Sequence, residues 1–403
     1  MSGGGRLDRP LNLMLVCGEP SGDQLGAQLM MGLRAVAGES VTFSGVGGDA
    51  MAAQGFCSLF SLDDTAVMGL REVVPRIPAI LRRVREAASF ALATRPDAVV
   101  LVDSPDFTHR VARRLKRFDP SILTVNYVAP QVWASRSYRA RKMARYFDLV
   151  LALLPFEAQF FERYGLRAEF VGHPVTERAS RMKGGAALRS RLGIGSDAPL
   201  LVVLPGSRTN EIRQILPIFR EAVLRLSKSI PDLVTILPTV PHVASRVHAA
   251  TSAWPVPLQI LENEDDKFAA FDAADVALAA SGTVTTELAL ARTPMVVAYR
   301  VGPVTYALAR PLFKLPYFTL VNLLLGRRAV PEFLQGAATP EALARELALL
   351  LADPQAASRQ IADLELATRN LGEGGEPASL RAARAIVAFA RERAPAQRLA
   401  RGT

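Results

Sequence analysis

Residues 200–208 read Leu-Leu-Val-Val-Leu-Pro-Gly-Ser-Arg, and a helical pattern of apolar residues follows them. A wholly apolar run that ends in a Pro-Gly turn and opens a helix is typical of a buried parallel strand in an α/β sheet. The turn then lies at the carboxyl end of the strand, where backbone N–H groups point outward and favour an anion. Arg208 adds a planar fork that matches phosphate oxygens. We therefore expect Ser207 and Arg208 to bind a phosphate group.

A second turn of the same kind lies downstream. The apolar run Val276–Ala280 leads into Ser281-Gly282-Thr283 and then into an apolar helix. Gly282 and Thr283 would bind phosphate at the helix start, and Glu287, one turn further on, can accept hydrogen bonds from both hydroxyls of a ribose. The alternative for Glu287 is a favourable charge on the helix dipole. Two such turns in one half of the chain predict a nucleotide diphosphate ligand.

Strand-like and helix-like runs alternate along all 403 residues. This alternation predicts an α/β protein with parallel, doubly wound sheets. The stretch 178–199, rich in Gly, Ser, Arg and Ala, interrupts the pattern, which restarts at residue 200. We expect two Rossmann-like domains that face a cleft, residues 1–178 and 179–360, followed by helices in 361–403 that cross back to the first domain.

Composition limits the class of function. The residues are 50% hydrophobic and the net charge is +10, so nucleic acid, an anionic membrane and an anionic substrate are all candidate partners. Cys17 falls in the first predicted strand and Cys57 in a predicted loop, which argues against a disulfide framework and favours a reducing compartment. Neither a signal peptide nor an apolar run of transmembrane length is visible. We therefore expect a cytoplasmic protein.

Asp103 is the strongest candidate for chemistry in the first half, because it directly follows a wholly apolar strand. A carboxylate in that position is costly unless it is hydrogen-bonded or used, and Asp106 is better placed to cap the next helix. We expect Asp103 to act as a catalytic base that deprotonates an attacking sugar hydroxyl. After the first strand, Glu19 and Ser21 either hold a polar substrate or belong to a well-capped strand–helix turn.

Two further features of the first half have two interpretations each. Trp133 precedes a basic run that extends from Arg136 to Arg145. The Trp133 indole either stacks on a sugar or a base, or belongs to the core. The basic run either binds an anion or forms a solvated helix face. His173, which precedes Pro174, would contact a diphosphate or make a structural hydrogen bond.

Residues 67–85 combine a broad apolar surface with flanking arginines. Pro75 and Pro78 interrupt the segment, so we do not expect one continuous helix. Basic amphipathic segments of this kind lie in a membrane interface; the alternative is a core-facing helix with a basic outer face. The expected membrane-facing residues are Val67, Leu70, Val73, Val74 and Ile77.

Asn322 and Gln335 are polar points within an apolar stretch, and we expect them to line the cleft. The acidic segments 63–64 and 264–266 would suggest a metal, but neither follows a strand in a way that converges on Arg208. A site with an arginine and helix dipoles neutralises a leaving diphosphate without a metal. We therefore expect neither a metal nor a cofactor.

Together these motifs resemble the lipid-A-disaccharide synthase family, which comprises inverting glycosyltransferases of the two-Rossmann-domain (GT-B) type. The resemblance covers nearly the whole chain, and the order of the motifs makes it specific. The chain departs from the family at Ser135, where the family often has a second aromatic residue. It keeps the family pattern Gly-Ser-Arg-x-x-Glu, which ends here at Glu211. The matching segments are 18–23, 45–48, 68–69, 103–107, 127–134, 153–157, 172–174, 204–208, 281–283, 294–300, 322–324 and 331–335.

The resemblance implies transfer of a diacylglucosamine unit from UDP to the 6-hydroxyl of 2,3-diacylglucosamine 1-phosphate, with release of UDP and a β-1,6-linked disaccharide. It implies a peripheral protein on the cytoplasmic face of the inner membrane of a Gram-negative bacterium, acting without a metal, and it leaves a homodimer open. It assigns the catalytic carboxylate to Asp103. It implies that Arg208 and Glu287 recognise UDP, with Asn322 and Gln335 nearby. Glu19 and Ser21 would lie near the acceptor side, and Met68 is a further implied substrate contact.

Two other classes of protein remain open. Another UDP-sugar enzyme of this fold, such as a UDP-N-acetylglucosamine epimerase or a transferase onto a polyprenyl carrier, would keep the half that contains Arg208 and Glu287. It would not need Asp103 together with the surface at 67–85. A nucleic-acid-binding protein is disfavoured, because only 7% of residues are aromatic, no binding module is recognisable and the charge is spread over both halves.

Overall fold

The computed structural model describes residues 10–38, 40–65, 70–135, 137–252, 254, 256–302, 306 and 316–401, of which 70–76, 135 and 393–401 are described as backbone only. These residues belong to two compact units. The first lies within Met1–Pro174 and Gly375–Thr403, and the second within Val175–Gly374. Each unit is built around one parallel sheet.

The sheet of the first unit has six strands in the order β2-β1-β3-β4-β5-β6. Every residue of the third and fourth strands is buried, as expected for parallel strands that helices cover on both faces. The order reverses between β1 and β3, and ligands bind at such reversals in doubly wound sheets. The strands are β1 (Leu11–Cys17), β2 (Val41–Val46), β3 (Ala98–Val102), β4 (Thr124–Tyr127), β5 (Leu149–Ala152) and β6 (Ala168–Phe170).

Helices connect these strands, as the alternating sequence pattern predicts. They are α1 (Pro20–Ala37), α2 (Asp49–Ala52), α3 (Leu70–Thr94), α4 (Pro105–Phe118), α5 (Val132–Ser135), α6 (Tyr138–Met143) and α7 (Pro155–Glu162), with a 3-10 turn at Leu62–Asp64. The expected break at Pro75 and Pro78 is wrong, because α3 runs through both prolines. Both lie in its first three turns, so the later residues Val84, Ala87, Ala88 and Ala91 still form an uninterrupted buried face.

A long C-terminal helix, Ala378–Arg401, completes the first unit. It packs against α1, where Gly32 lets the backbone of Ser379 approach: a Cβ added at Gly32 would lie 2.7 Å from the Ser379 carbonyl oxygen. Ile386 and Phe389 of this helix are fully buried, and Arg381 donates to the carbonyl oxygen of Phe170 at 2.7 Å. The predicted return of the C-terminal helix to the first domain is confirmed.

The sheet of the second unit has six strands in the order β12-β11-β10-β7-β8-β9. Its reversal lies between β7 and β10, which are the two apolar runs that precede the predicted phosphate turns. The predicted fold class of two doubly wound parallel sheets is therefore confirmed. The strands are β7 (Leu200–Leu204), β8 (Val234–Pro238), β9 (Leu258–Leu261), β10 (Val276–Ala280), β11 (Met295–Tyr299) and β12 (Glu332–Leu334).

The helices of the second unit cover both faces of this sheet. They are α8 (Gly185–Arg191), α9 (Thr209–Ser229), α10 (Pro241–Thr251), α11 (Glu264–Ala273), α12 (Thr283–Leu290), α13 (Leu320–Leu325), α14 (Pro340–Ala352) and α15 (Pro354–Asn370), with 3-10 turns at Pro174–Arg181 and Gln335–Ala337. Within the described part of the chain, no helix combines the length and apolar character needed to cross a membrane.

Candidate active site

Two strand–helix turns meet at the sheet reversal of the first unit. One follows β1 and carries Glu19 and Ser21, and the other follows the adjacent β3 and carries Asp103 and Ser104. The Ser21 hydroxyl donates to an oxygen of the Asp103 carboxylate at 3.3 Å, and the Ser104 hydroxyl donates to Glu19 at 3.4 Å. The structure therefore brings three predicted site residues, Glu19, Ser21 and Asp103, into one polar cluster.

The backbone at Asp103 is strained. Asp103 and Ser104 have φ angles of 52° and 44°, in the left-handed region that costs about 1 kcal/mol or more for a residue with a Cβ. Hydrogen bonds hold the turn in place: the Asp103 amide donates to the Tyr127 carbonyl at 3.0 Å, and the Thr108 hydroxyl donates to the Asp103 carbonyl at 2.6 Å. Strain maintained in this way is a recurrent feature of functional sites.

A neutral thiol lies beneath this cluster. Burial raises the pKa of the Cys17 thiol, and the nearby carboxylates of Asp23 and Asp103 raise it further. The thiol donates to the Gly22 carbonyl at 3.2 Å. Both Cys17 and Cys57 are free cysteines, as the sequence predicts. Cys17 therefore acts as a buried packing residue, because its thiolate form is strongly disfavoured.

Trp133 has a structural hydrogen bond. Its indole N–H donates to Glu157 at 2.9 Å, and its ring packs edge-on against Phe156 with centroids 4.9 Å apart. The second oxygen of Glu157 accepts from the amides of Leu153 and Leu154 at 3.1 and 3.0 Å. These contacts join the segment after β4 to the start of α7 and support the core interpretation of Trp133. His173 is half-buried, and its contact with a diphosphate stays a prediction.

The second unit has a cavity of about 280 Å³ at the carboxyl ends of β7 and β10. This is the sheet reversal, where nucleotides bind in doubly wound folds. The cavity brings together five of the predicted site residues. Its lining includes Ser207, Arg208, Gly282, Thr283 and Glu287, together with Glu211 and Lys267.

Arg208 and Glu211 form a pair at the mouth of this cavity. The Arg208 side chain is 72% exposed and reaches one oxygen of Glu211 at 3.2 Å. The other oxygen of Glu211 accepts from the amides of Ser207 and Arg208, both at 3.2 Å. The expectation that these two amides point outward to an anion is therefore wrong, because a carboxylate three residues into a helix folds back onto its first amides. The spacing Gly-Ser-Arg-x-x-Glu carries this signal.

The start of α12 is more open. Gly282 and Thr283 are exposed, and a Cβ added at Gly282 would meet no atom within 4 Å. Gly282 has a φ of 163°, which is extended backbone that any residue can adopt. The backbone here leaves space for a ligand on the positive end of the helix dipole.

Glu287 is buried in the cavity wall, and two cations neutralise it. Its side chain is 6% exposed, and its two oxygens lie 2.6 Å from Arg178 Nη1 and 3.1 Å from Lys267 Nζ. Both hydrogen bonds are charge-assisted. Neither cation can be predicted as a partner from local sequence, because Arg178 lies 109 residues away along the chain and Lys267 lies 20 residues away.

Asn322 and Gln335 hydrogen-bond to backbone and do not line this cavity. The Asn322 amide oxygen accepts from the amides of Ala329 and Val330, both at 2.8 Å, and its nitrogen donates to the Val330 carbonyl at 2.8 Å. Gln335 exchanges two hydrogen bonds with the backbone of Val301, at 3.0 and 3.1 Å. Their contact with a nucleotide stays a prediction.

The predicted membrane-facing surface is only partly described. Val67 lies outside the described residues, as does the predicted substrate contact Met68. Leu70, Val73 and Val74 lie in α3 and are described as backbone only. Ile77 is 43% exposed, so an apolar residue faces solvent at this point of α3.

The acidic segments 63–64 and 264–266 are engaged in ion pairs. Asp64 lies 2.5 Å from Arg83, Asp265 lies 2.8 Å from Arg181, and Asp266 lies 2.6 Å from Arg191. Within the described ranges, no group of three or more His, Cys, Asp or Glu side chains is arranged to hold a metal ion. That the reaction needs no metal stays a prediction.

Solved structures with the same fold include UDP-N-acetylglucosamine 2-epimerases and a glycotransferase of kitacinnamycin. A UDP-N-acetylglucosamine 2-epimerase from Neisseria meningitidis, bound to UDP-N-acetylglucosamine, aligns with a TM-score of 0.62 at 12% identity over 94% of this chain and 99% of its own. MurG from Acinetobacter baumannii aligns with a TM-score of 0.56 at 16% identity over 94% and 99%. The chain therefore has the GT-B fold, which glycosyltransferases and epimerases share.

Sequence comparison resolves the family within this class. The family model described as lipid-A-disaccharide synthetase matches residues 13–386. A lipid-A-disaccharide synthase from Rhodospirillum centenum is 47% identical over 97% of both chains, and one from Ruegeria pomeroyi is 46% identical over 95% of this chain and 96% of its own. The chain belongs to the lipid-A-disaccharide synthetase family and is a glycosyltransferase.

Proposed function

We propose that the chain condenses UDP-2,3-diacylglucosamine with 2,3-diacylglucosamine 1-phosphate to give the β-1,6-linked lipid A disaccharide 1-phosphate and UDP. The family match over residues 13–386 supports this reaction. The structural observation that carries it is that one chain contains two sheet reversals, each with candidate site residues at the ends of its strands. The first presents Asp103 beside Ser21, and the second presents a cavity lined by Arg208, Gly282 and Glu287.

The UDP-sugar donor binds in the cavity of the second unit. Arg208 and the start of α12 hold the diphosphate, because an exposed guanidinium and the positive end of a helix dipole both favour phosphate oxygens. Glu287 accepts the ribose hydroxyls. Since Glu211 already occupies the amides of Ser207 and Arg208, the α12 amides and the Arg208 side chain supply the phosphate contacts.

Asp103 acts as the base in this mechanism. As the acceptor 6-hydroxyl attacks the anomeric carbon from the face opposite UDP, its proton passes to the Asp103 carboxylate. The bond from the anomeric carbon to the diphosphate oxygen breaks, and its electron pair leaves with UDP. Arg208 and the α12 dipole stabilise the charge that develops on the diphosphate. The Ser21 hydroxyl, 3.3 Å from Asp103, orients the carboxylate.

We also propose that the enzyme acts at the cytoplasmic face of the inner membrane without spanning it. The substrates of the proposed reaction are acylated, and the expected contact surface is Val67, Leu70, Val73, Val74 and Ile77. The exposed side chain of Ile77 and the net charge of +10 favour contact with an anionic lipid surface. A homodimer stays a prediction.

A comparison of two donors tests the proposed function against the epimerase alternative. Purified protein is incubated in detergent micelles with UDP-2,3-diacylglucosamine and the acceptor, or with UDP-N-acetylglucosamine alone. We expect UDP release that depends on the acylated acceptor in the first reaction, and no change at C2 of the sugar by NMR in the second. Conversion of UDP-N-acetylglucosamine to its C2 epimer, without acceptor-dependent UDP release, would overturn the proposal.

A further inference from the structure

The Glu287–Lys267 pair has a geometry that an ordinary surface ion pair lacks. The Glu287 side chain is 6% exposed and that of Lys267 is 20% exposed, with 3.1 Å between carboxylate oxygen and ammonium. Both residues line the same cavity at the end of β10. A carboxylate buried to this extent is unfavourable unless cations and hydrogen bonds compensate for its lost hydration.

Lys267 is held in one place by more than its charge. Its ammonium lies 4.3 Å from the centroid of the Phe268 ring and 5.9 Å from that of Phe271, distances at which a cation and an aromatic ring attract each other. The second cation, Arg178, approaches Glu287 on its other oxygen at 2.6 Å but does not belong to the cavity lining. Lys267 is therefore the partner that faces the ligand space.

The two cations fix the orientation of the Glu287 carboxylate. A carboxylate has about four lone-pair sites, and Arg178 and Lys267 each occupy one on a different oxygen. One site on each oxygen is left, and the two oxygens of one carboxylate are spaced to accept from two adjacent hydroxyls. Without Lys267, one oxygen would lose its partner and the side chain would be free to rotate.

We propose that Lys267 is a positioning residue of the nucleotide site. It holds the Glu287 carboxylate so that both oxygens accept the 2′- and 3′-hydroxyls of the donor ribose. This inference rests on the proposed function, because it takes the cavity to be the UDP site. It makes Lys267 a determinant of ribonucleotide recognition, distinct from Arg208, which we assign to the diphosphate.

The test is calorimetric binding of UDP and of 2′,3′-dideoxy-UDP to Lys267→Met. We expect the wild type to prefer UDP, and the variant to lose about tenfold in UDP affinity while its affinity for the dideoxy nucleotide is unchanged, because only the charge-assisted contact to ribose is lost. Lys267→Arg should restore much of the preference.

Arg181→Met is the matched control. Like Lys267, Arg181 lies against the Phe268 ring, at 4.6 Å, and forms ion pairs, in its case with Glu264 and Asp265 of α11. Unlike Lys267, it does not line the cavity. It should keep the wild-type preference for UDP. Equal weakening of both nucleotides by Lys267→Met would overturn the inference and assign the ammonium to the diphosphate; wild-type binding of both would also overturn it.

A second pair of variants keeps the test valid if Lys267→Met does not fold. In Glu287→Gln the buried charge is absent, so adding Lys267→Met leaves no carboxylate without its partner. We expect Glu287→Gln and the double variant to bind UDP equally, whereas weaker binding by the double variant would contradict a role through Glu287. Failure of the wild type to bind UDP at all would instead refute the donor site of the proposed function.

Discussion

At the scale of single residues, Asp103 stands out because its conformation is costly and nevertheless maintained. Its φ of 52° and that of Ser104 at 44° place two residues with side chains in backbone that glycine would adopt more easily. The position of Asp103 at the end of β3 can be predicted from the apolar run before it. The backbone strain cannot, because it depends on hydrogen bonds to Tyr127 and Thr108 that form only in the folded unit.

Asp103→Asn should lower turnover by about 10²- to 10⁴-fold, because an amide cannot take the proton of the attacking hydroxyl. UDP affinity should be unchanged, since other residues build the nucleotide cavity. Steady-state kinetics and calorimetry measure the two effects. Asp106→Asn is the matched control: Asp106 is an exposed carboxylate in the first turn of α4 and should keep wild-type turnover. Near-normal activity of Asp103→Asn would remove Asp103 from the base role.

Gly282→Ala should weaken UDP binding about tenfold or more without changing the stability of the free protein. The φ of 163° imposes no strain on alanine, and the new methyl group meets no protein atom within 4 Å. It would occupy the space above α12 that we assign to the diphosphate. Gly195→Ala is the control, because its Cβ would meet only Ala198, at 4.0 Å, and lies outside the cavity. Unchanged UDP affinity would place the phosphates elsewhere.

At the scale of elements, the sequence predicts the strands that lead into the two sites. It does not predict the hydrogen bonds made by the turns that follow those strands. The five residues of β7 and the five of β10 are all buried, which continuous apolar runs indicate directly. The amides of Ser207 and Arg208 donate to the Glu211 carboxylate. The three-residue spacing of Arg208 and Glu211 indicates this contact, but our sequence analysis did not predict it. The local sequence does not predict that α3 continues through Pro75 and Pro78, because proline usually breaks a helix interior.

Helix α4 packs through a histidine that should make the first unit sensitive to acid. His109 Nδ1 lies 3.2 Å from the Tyr146 hydroxyl. Burial, together with the positive charges of Arg113 and Arg139, lowers the pKa of His109 to about 3. In the unfolded chain a histidine titrates near 6.5. Between these values the unfolded state binds one more proton, so the free energy of unfolding should fall with decreasing pH by up to about 1.4 kcal/mol per unit.

Urea unfolding of the wild type and of His109→Gln at pH 7.5, 6.0 and 5.0 measures this effect. The variant should be less stable at pH 7.5, because it changes the packing against Phe147, whose ring centroid lies 5.0 Å from that of His109. Its stability should nevertheless fall less between pH 6.0 and 5.0 than that of the wild type. Parallel pH profiles would show that His109 does not carry the acid sensitivity.

At the scale of the whole molecule, a segment from the end of the chain completes the unit formed by its beginning. The Gly-rich stretch 371–375 marks this return in the sequence, and the two compact units divide at Pro174 and at Gly374. The fully buried residues Ile386 and Phe389 of the C-terminal helix make the first unit dependent on residues more than 200 positions beyond Pro174. The Gly-rich stretch before the last helix indicates that the helix returns, but not which residues meet at the interface.

Gly32→Val should destabilise the first unit by about 1–3 kcal/mol, because even a Cβ at this position would lie 2.7 Å from the Ser379 carbonyl. The chain has two tryptophans, Trp133 in the first unit and Trp254 in the second. Their fluorescence in Trp254→Phe and Trp133→Phe backgrounds reports each unit separately. The Trp133 transition should shift and that of Trp254 should not.

Met31→Val is the control for this experiment, since Met31 is the neighbouring residue and is 57% exposed. It should leave both transitions in place. Equal shifts of the Trp133 and Trp254 transitions in Gly32→Val would contradict the assignment of the C-terminal helix to the first unit alone.

Disaccharide formation tests the proposed reaction most directly. Wild-type protein is incubated in detergent micelles with UDP-2,3-diacylglucosamine and 2,3-diacylglucosamine 1-phosphate, and the lipid products are analysed by mass spectrometry. We expect one new species with the mass of the β-1,6 disaccharide 1-phosphate, formed in equal amount with UDP and only when both substrates are present. Absence of this species from protein that binds UDP with ordinary affinity would contradict the assigned reaction while leaving the nucleotide site intact.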